Sequence, residues 1–524
     1  MALISIIEDF HPLNNAKFLD VAESLRPSLH HHVFEPVGAF MLKERYSSEK
    51  ESITLKEISH LPLGKGKNLC LDFGTHRVGR VSLALSYSGS HPDAPALLKL
   101  KFAETLRELS ENSGSYDGWI SSSWIQEEYV HVDVLPSVVQ LPRRYAFRYL
   151  KITLMDTSPK YKLVVRQAEC VAESSAYMER SNAVRYRDPM LNRINEVGIR
   201  TLHNCMQDVF EDGPKRDRRL WMGDLRLQAQ VNYATFANND LVKRCLYLFA
   251  GSRFPDGRVS ACLFTDPAVE ADDTWLFEYS LFFTVALEEY LAETGDEEAL
   301  KDLYEVAMEQ ADLALKMLGP DGILNESAVS GAFVDWCDPL DKTVCAQSAL
   351  IYALRYAKKL AARKNDIERE SRIDGRIREL SAAARERFWD AERKCFVSGG
   401  QISPAGQVWA VLAGLAEGEE ARSAMKMCEN CAPELKMTTP YMHHYYVMAL
   451  LESGMKAEAL EHIKSYWGSM VEAGADTFWE SWMPEDPDAS PYGGSIVNSY
   501  CHAWSCTPVY ILKKFFEEEK ASDL

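Results

Sequence analysis

The first third of the chain alternates between apolar and polar positions with a period of two residues. In residues 81–87, Val-Ser-Leu-Ala-Leu-Ser-Tyr, every second side chain is apolar or aromatic, which is the pattern of a β-strand with one buried face. Turn residues at Gly74 and at Ser88-Gly89 separate segments of this kind. The clearest segments are 68–73, 80–87, 96–102, 127–134 and 145–154. About ten such segments predict an antiparallel β-sandwich for residues 1–185.

After about residue 186 the apolar positions recur every three or four residues, as in residues 300–318. This period predicts amphipathic helices. Twelve helices are expected, beginning near residues 187, 224, 239, 275, 297, 342, 366, 405, 418, 440, 455 and 498. Twelve consecutive helices form six hairpins, and an (α/α)6 barrel over residues 186–524 is the most economical arrangement. A helical repeat array has the same number of helices, but no fixed-period repeat favours it.

Charge and composition exclude several classes of protein. The 58 Lys and Arg against 77 Asp and Glu give a net charge of −19, which argues against binding to nucleic acid or to an anionic membrane. No apolar run reaches the length of about 18 residues expected of a membrane span. Residues 1–15 lack the basic start and long apolar core of a signal peptide. We therefore expect a cytoplasmic protein, and the oligomeric state stays open, with a homodimer as one alternative.

The densest polar cluster is residues 212–224, Asp-Gly-Pro-Lys-Arg-Asp-Arg-Arg-Leu-Trp-Met-Gly-Asp. Gly213 and Pro214 disfavour a helix here, so the cluster is predicted to be a loop between helices, where functional groups concentrate. A solvated ion-pair loop is the simplest interpretation. The basic centre alone is typical of a nucleic-acid patch, but the interleaved acids argue against it. Trp221 and the glycines favour a carbohydrate or anion site.

A second candidate is residues 477–482, Thr-Phe-Trp-Glu-Ser-Trp. Glu480 lies between two tryptophans, and aromatic faces beside a carboxylate suit a pocket for a sugar ring. The alternative is a buried amphipathic segment with an exposed Glu.

Three further clusters, each taken alone, are more simply explained by packing, by helix capping or, for the histidine, by a satisfied core position than by a site. Two pair tryptophans with acids, at residues 272–275 and 333–338, and the third places His502 close to Trp504. Cys428 and Cys431 have the spacing of zinc ligands, but no second pair follows at a suitable distance. Motifs for phosphate loops, nicotinamide cofactors, zinc proteases and serine hydrolases are not found. We predict neither a metal nor a cofactor.

Taken together, these clusters resemble a known enzyme family. Residues 212–224 resemble the signature loop of the inverting α-L-rhamnosidases of glycoside hydrolase family 78. Residues 477–482 and 502–504 resemble later blocks of that family, in the same order, and the likeness covers about residues 186–524. Residues before 186 resemble its N-terminal β-sandwich less specifically. Because the chain ends soon after the last predicted helix, we expect a shortened member without the C-terminal β-domain of larger relatives.

The resemblance implies the hydrolysis of terminal α-L-rhamnosyl residues with inversion, on a rhamnose-containing glycoside or oligosaccharide. By position, Asp217 matches the general acid and Glu480 the general base. The implied sugar-binding residues are Asp212, Arg216, Trp221, Asp224, Trp275, Asp335, Trp336, Trp479 and His502. Two positions depart from many relatives, which carry Glu at position 217 and Cys at position 213, where this chain has Asp217 and Gly213.

Three alternatives stay open at this point. One is an (α/α)6-barrel hydrolase for another deoxysugar or a uronide. Another is a carbohydrate-binding protein that keeps the pocket without turnover. The third is a helical scaffold, in which the aromatic and acidic clusters are scattered over the surface instead of converging.

Overall fold

The computed structural model describes residue 7, residues 9–42 and residues 50–521, which form an antiparallel sheet followed by a helical domain. The strands are β1 (Leu13–Asn14), β2 (His30–Phe34), β3 (Gly38–Leu42), β4 (Lys50–Ile53), β5 (Asn68–Gly89), β6 (Ala96–Ala103), β7 (Glu127–Val132), β8 (Ser137–Gln140), β9 (Tyr145–Asp156), β10 (Tyr161–Ser174), β11 (Leu220–Trp221), β12 (Ser252–Arg253), β13 (Cys262–Phe264), β14 (Glu270–Ala271), β15 (Trp389–Asp390) and β16 (Cys395–Phe396). The α-helices are α1 (Ala16–Ser24), α2 (Leu55–Ile58), α3 (Leu106–Ser110), α4 (Pro189–Cys205), α5 (Met222–Ala234), α6 (Asn239–Gly251), α7 (Phe277–Thr294), α8 (Glu297–Leu315), α9 (Glu326–Ser330), α10 (Thr343–Lys364), α11 (Ile367–Phe388), α12 (Pro404–Leu412), α13 (Gly418–Met427), α14 (Pro440–Glu452), α15 (Lys456–Glu472) and α16 (Pro508–Phe515).

The N-terminal sheet is organised around β5, its longest strand. Nine strands, β2 to β10, form one antiparallel network in which β5 pairs with β3, β8, β9 and β10. The turn expected at Gly74 is wrong, because β5 continues through this position. Gly74 has a φ of 80°, and the register with β9 shifts between Asp72 and Arg77. The glycine therefore makes a bulge that bends one long strand.

The helical period predicts the barrel helices closely. Eleven of the twelve helices begin within two residues of the expected positions. The helix expected at residue 498 begins instead at Pro508. Residues 498–507 form no α-helix and contain only a 3-10 turn at Ala503–Ser505. Part of their backbone bonds to distant segments: Ser499 O accepts from Glu480 N (3.0 Å), and Ala503 N donates to Asp212 O (3.0 Å).

The twelve long helices form a closed double ring. Helices α5, α7, α10, α12 and α14 follow one another around the inside. Between α14 and α5 the ring is completed by α16, which packs against α5, and by a 3-10 turn at Ala503–Ser505, which contacts both α14 and α5. The inner helices α5 and α7 bury nearly every residue, whereas the outer helix α11 buries a single stripe. The N-terminal turns of α5 and α7 reach one end of the barrel and their C-terminal turns the other. This ring is the expected (α/α)6 arrangement.

None of the helices in the described ranges combines the length and apolar character needed to cross a membrane. Across the same ranges, no cluster of three or more His, Cys, Asp or Glu side chains has the geometry of a metal site.

Candidate active site

A pocket opens at the end of the barrel where α5 and α7 begin. Eight of the eleven side chains predicted from the sequence line it, and they come from segments as distant as residues 212 and 502. Its walls are Asp212, Arg216, Asp217, Trp221, Asp224, Leu276, Tyr279, Phe333, Trp336, Glu480, Tyr492, His502 and Trp504. The scaffold alternative requires scattered clusters, so this convergence argues against it.

The loop that precedes α5 is closed by Asp212. Its backbone N–H donates to Arg219 O (3.0 Å), and its Oδ1 accepts from Arg219 N (3.0 Å). Gly213 packs so closely that a Cβ there meets Ser499 Oγ at 2.6 Å. Asp217, at the tip, has a φ of 63°, in the left-handed region that costs non-glycine residues free energy. The surrounding contacts therefore hold the Asp217 backbone in a strained position.

Arg216 connects two carboxylates of the pocket. Its Nη2 donates a short hydrogen bond to Glu480 Oε2, and its Nη1 lies 3.3 Å from Asp217 Oδ1. Tyr492 OH donates to the other oxygen of Glu480, and Ser499 N donates to Oε2 (3.3 Å). Burial pushes the pKa of Glu480 upwards, but the charge and hydrogen bonds of Arg216 and the Tyr492 hydroxyl leave it below its ordinary value. Glu480 is therefore ionised at neutral pH.

The pKa values of two other pocket carboxyls, Asp224 and Asp212, are raised instead of lowered. Burial, together with the nearby charges of Glu480 and Asp217, raises the pKa of Asp224 well above its ordinary value. Burial and the charges of Asp217 and Asp224 do the same to Asp212. Burial lowers the pKa of His502 to about 4. The pocket therefore combines an ionised carboxylate with carboxyls that favour the protonated form and a neutral imidazole.

One pair of polar atoms in the pocket has no hydrogen-bond partner. Asp224 Oδ1 and His502 Nδ1 lie 3.5 Å apart, and neither forms a hydrogen bond in the described structure. Buried polar atoms in proteins are normally satisfied by protein, water or ligand. The pair is therefore a candidate binding point for a ligand hydroxyl.

Two predicted tryptophans do not line the pocket. Trp275 donates its indole N–H to Ser280 Oγ (3.0 Å), and the Arg258 guanidinium lies 4.4 Å from its ring. Trp479 packs edge-to-face against Trp482, with ring centroids 4.8 Å apart. Both indoles contribute packing at a distance from the pocket walls.

Asp335 is also outside the pocket walls. Its carboxylate accepts hydrogen bonds from Thr438 N (2.8 Å) and from the hydroxyls of Thr438 (2.9 Å) and Thr439 (2.7 Å). The carboxylate therefore fixes the start of α14 against the loop that carries Trp336, which does line the pocket.

Sequence reasoning missed several pocket residues, above all Tyr492 and Tyr279. Tyr279 lies in the first turn of an apolar helix and has the appearance of a core residue. Tyr492 is followed by Gly493 and Gly494, which mark a loop. That turn signal was the available clue, but it does not show that the loop reaches the pocket.

The N-terminal domain holds the loop from outside the barrel. Lys215, next to Arg216, is buried and donates to Glu108 Oε1 and to Asn498 O (2.8 Å). Glu104 is 3.7 Å from the same ammonium. Two carboxylates from the sheet domain therefore anchor the loop that carries Asp217.

Two family models match the chain. Residues 42–172 match the glycosyl hydrolase family 78 alpha-rhamnosidase N-terminal domain, and residues 179–515 match the bacterial alpha-L-rhamnosidase 6 hairpin glycosidase domain. No curated protein matches the sequence.

Among solved structures, the chain is similar to a rhamnosidase from Klebsiella oxytoca with rhamnose bound. The two are 44% identical with a TM-score of 0.92, over 96% of this chain and 99% of that one. A family 78 rhamnosidase of Bacillus sp. GL1 shares the fold at 22% identity and a TM-score of 0.73, over 89% of this chain and 49% of that one. With both domains matched and a relative aligned along nearly its whole length, this chain belongs to the family 78 α-L-rhamnosidases and is a glycoside hydrolase.

Proposed function

We propose that this chain removes terminal α-L-rhamnosyl residues from rhamnosides or oligosaccharides by an inverting single displacement. Family membership and the rhamnose bound in the Klebsiella oxytoca relative support the sugar. The observation that carries the mechanism is the pair of carboxylates, Asp217 and Glu480, tied to one guanidinium at the pocket. The proposal includes catalysis by a barrel domain of residues 186–524 behind a sandwich domain of residues 1–185, and a cytoplasmic location.

Glu480 is assigned as the general base. Single displacement needs an ionised carboxylate that deprotonates the attacking water, and Arg216 keeps the pKa of Glu480 low. Oε2 already accepts from Arg216 and Ser499, whereas Oε1 accepts only from Tyr492 among the bonds described. A carboxylate oxygen can accept two hydrogen bonds. The water is therefore expected at Oε1.

Asp217 is assigned as the general acid on the basis of access. About 20% of its side chain is exposed, against 4% for Glu480 and 3% for Asp224. The leaving group departs towards solvent, so the carboxyl that protonates its oxygen belongs at the mouth of the pocket. Glu480 is the more buried of the two carboxyls, and we assign to it the water that attacks from the other side of the sugar.

The remaining pocket residues are suited to hold the sugar. We assign the unpaired atoms Asp224 Oδ1 and His502 Nδ1 to a hydroxyl group of the sugar. A hydroxyl can donate one hydrogen bond and accept another, so it can satisfy both atoms. Trp221, Trp336 and Trp504 supply apolar walls for the ring and its methyl group.

Hydrolysis of an aryl α-L-rhamnoside tests the activity and the carboxylate pair. We expect turnover by the parent protein and a loss of about 10²–10⁴-fold in kcat for Asp217→Asn and for Glu480→Gln, the range typical of general acid–base catalysis. Nuclear magnetic resonance of the first product is expected to show the β-anomer. An α-anomer contradicts inversion. Activity only on another glycoside moves the proposal to that sugar, and binding without turnover supports the carbohydrate-binding alternative.

Asp224 is a second candidate for the general acid, because its raised pKa favours the protonated form. Substrates with very acidic leaving groups need little protonation, so they rescue a variant that lacks the acid. We expect a dinitrophenyl rhamnoside to restore most of the rate of Asp217→Asn, while Asp224→Asn stays equally impaired on both substrates. Rescue of Asp224→Asn alone assigns the acid to Asp224.

A further inference from the structure

The N-terminal domain contributes an aromatic side chain beside the pocket. Trp119 lies in the segment between β6 and β7, and its ring centroid is 6.3 Å from that of Trp336 and 5.6 Å from that of Tyr492. Both of these residues line the pocket. The indole N–H of Trp119 donates to Pro491 O (2.7 Å). The ring is therefore fixed across the boundary between the two domains.

The Trp119 segment is held in place by further contacts with the barrel. Tyr116 OH donates to Tyr492 O (2.9 Å). Gly118 approaches the same carbonyl so closely that a Cβ at this position meets it at 1.9 Å. Because the segment is already ordered, the indole needs little further ordering when a ligand binds against it.

Despite these contacts, Trp119 remains 39% exposed. Among the described aromatic residues, only Tyr129 (59%) and Phe264 (37%) share this degree of exposure. A rigid, partly solvent-exposed indole next to a pocket can pack against a flat apolar surface of a ligand and bury it.

The position of Trp119 relative to the catalytic groups indicates which part of a substrate it meets. The Arg216 guanidinium lies 4.1 Å from the Tyr492 ring, and Arg216 precedes Asp217. Because the Tyr492 hydroxyl also donates to Glu480, Trp119 packs against a residue that contacts the proposed base and the arginine that binds both carboxylates. The leaving group of a terminal sugar departs towards solvent, and Trp119 is a partly exposed side chain beside two residues of the pocket wall, so it is placed to meet that group.

We propose that Trp119 is the platform for the leaving group, and that the N-terminal domain thereby completes the substrate site. The leaving group that packs on Trp119 has a flat apolar face, which is either an aryl ring or the apolar face of a pyranose. This inference rests on the proposed function and adds the substrate class to it.

A different role for Trp119 makes a different prediction. If the indole only clamps the segment that carries Tyr492, its loss disturbs the hydrogen bond from Tyr492 to Glu480. Every substrate then loses rate by the same factor, including one without an organic leaving group.

Three substrates separate these roles: an aryl α-L-rhamnoside, a rhamnosyl disaccharide and α-L-rhamnosyl fluoride. For Trp119→Ala we expect kcat/KM to fall about three- to tenfold on the first two, the size of an aromatic stacking contact, and to stay unchanged on the fluoride. Trp119→Phe keeps a flat ring and is expected to retain most of the activity. Tyr129→Ala removes an exposed aromatic side chain of the same domain and is expected to match the parent on all three.

The outcomes distinguish the platform from the proposed function. A loss restricted to the aryl substrate or to the disaccharide supports the platform and identifies the leaving group. An equal loss on all three substrates, or no loss on any, overturns the platform. If the parent protein hydrolyses none of them, the proposed function fails, and the platform fails with it. Activity on the fluoride also reports that Trp119→Ala is folded.

Discussion

At the scale of single residues, the guanidinium of Arg216 keeps the carboxyl of Glu480 ionised. Glu480 is buried, which by itself favours the protonated form. The positive charge of Arg216 reverses this effect, and the same side chain contacts Asp217. Arg216 therefore determines the pH range in which the proposed base is active.

Replacing Arg216 with Gln is expected to shift the pH profile of the enzyme. Burial of Glu480 persists without the opposing charge, so its pKa rises. Because a base works only when ionised, the acidic limb of the kcat/KM profile moves to higher pH. Arg258→Gln, which removes a guanidinium stacked on Trp275 outside the pocket, serves as the control. An acidic limb that stays in place in Arg216→Gln disproves this role.

At the scale of elements, a short helix of the sheet domain anchors the loop that carries Asp217. The first turn of α3 carries a capping box formed by Thr105 and Glu108. The second oxygen of Glu108 binds the buried ammonium of Lys215. The same carboxylate therefore caps a helix and positions the loop of the other domain.

The Glu108→Gln variant is expected to lower the free energy of unfolding by about 3–5 kcal/mol, because it leaves the Lys215 charge buried with a weakened partner. Activity at a temperature where the protein is folded is expected to fall as well. The chain provides a matched control in Glu57→Gln. Glu57 forms the same capping box with Thr54 at the start of α2, but it is exposed, and its loss is expected to cost about 1 kcal/mol or less. Denaturant unfolding measures the free energy of unfolding of both variants. Equal losses in the two variants contradict the anchoring role of Glu108.

The elements also show what the sequence can reveal. Helix positions followed from apolar periodicity because each barrel helix buries a continuous face. The helix expected at residue 498 was misplaced because residues 498–507 satisfy their backbone through distant segments. The sequence does not distinguish a bulge from a turn at Gly74, because glycine permits both. Similarly, the role of Lys215 depends on Glu108, a partner in another domain that no local pattern indicates.

At the scale of the whole molecule, a buried ion pair lies where the domains meet. His76 Nε2 is 2.9 Å from Glu104 Oε1. Barrel residues surround the pair: Asn204 Nδ2 is 2.9 Å from His76 Nδ1, Asp476 accepts from His76 N (2.8 Å), and Tyr500 N donates to Glu104 Oε2 (2.7 Å). The protonation state of His76 is therefore linked to the packing of the two domains against each other.

The stability of the molecule is expected to depend on pH through His76. Burial lowers its pKa, but Cys501, Glu104 and Asp476 raise it, and the balance is a pKa of about 9. The unfolded histidine titrates near about 6.5, so the stabilisation is complete below that pH and is lost as the pH rises towards 9. The Tm of the parent is expected to fall over this range.

His76→Gln tests this dependence in the same thermal unfolding series, because it removes the titrating group. We expect the Tm of the variant to change less between about pH 6.5 and 9 than that of the parent. His131→Gln, at an exposed histidine of β7, is the control and is expected to follow the parent. A parallel decline in all three proteins assigns the pH effect to other groups.

The convergence of distant segments at the pocket has a consequence for how the enzyme is made. The two proposed catalytic carboxylates stand on segments that are far apart in the sequence and meet at the pocket. During synthesis the sheet domain and the first helices leave the ribosome before residues 477–515 do. A nascent chain therefore carries Asp217 and its anchors before the proposed base, Glu480, has been made. If the two carboxylates act as proposed, a chain interrupted between them is expected to be inactive.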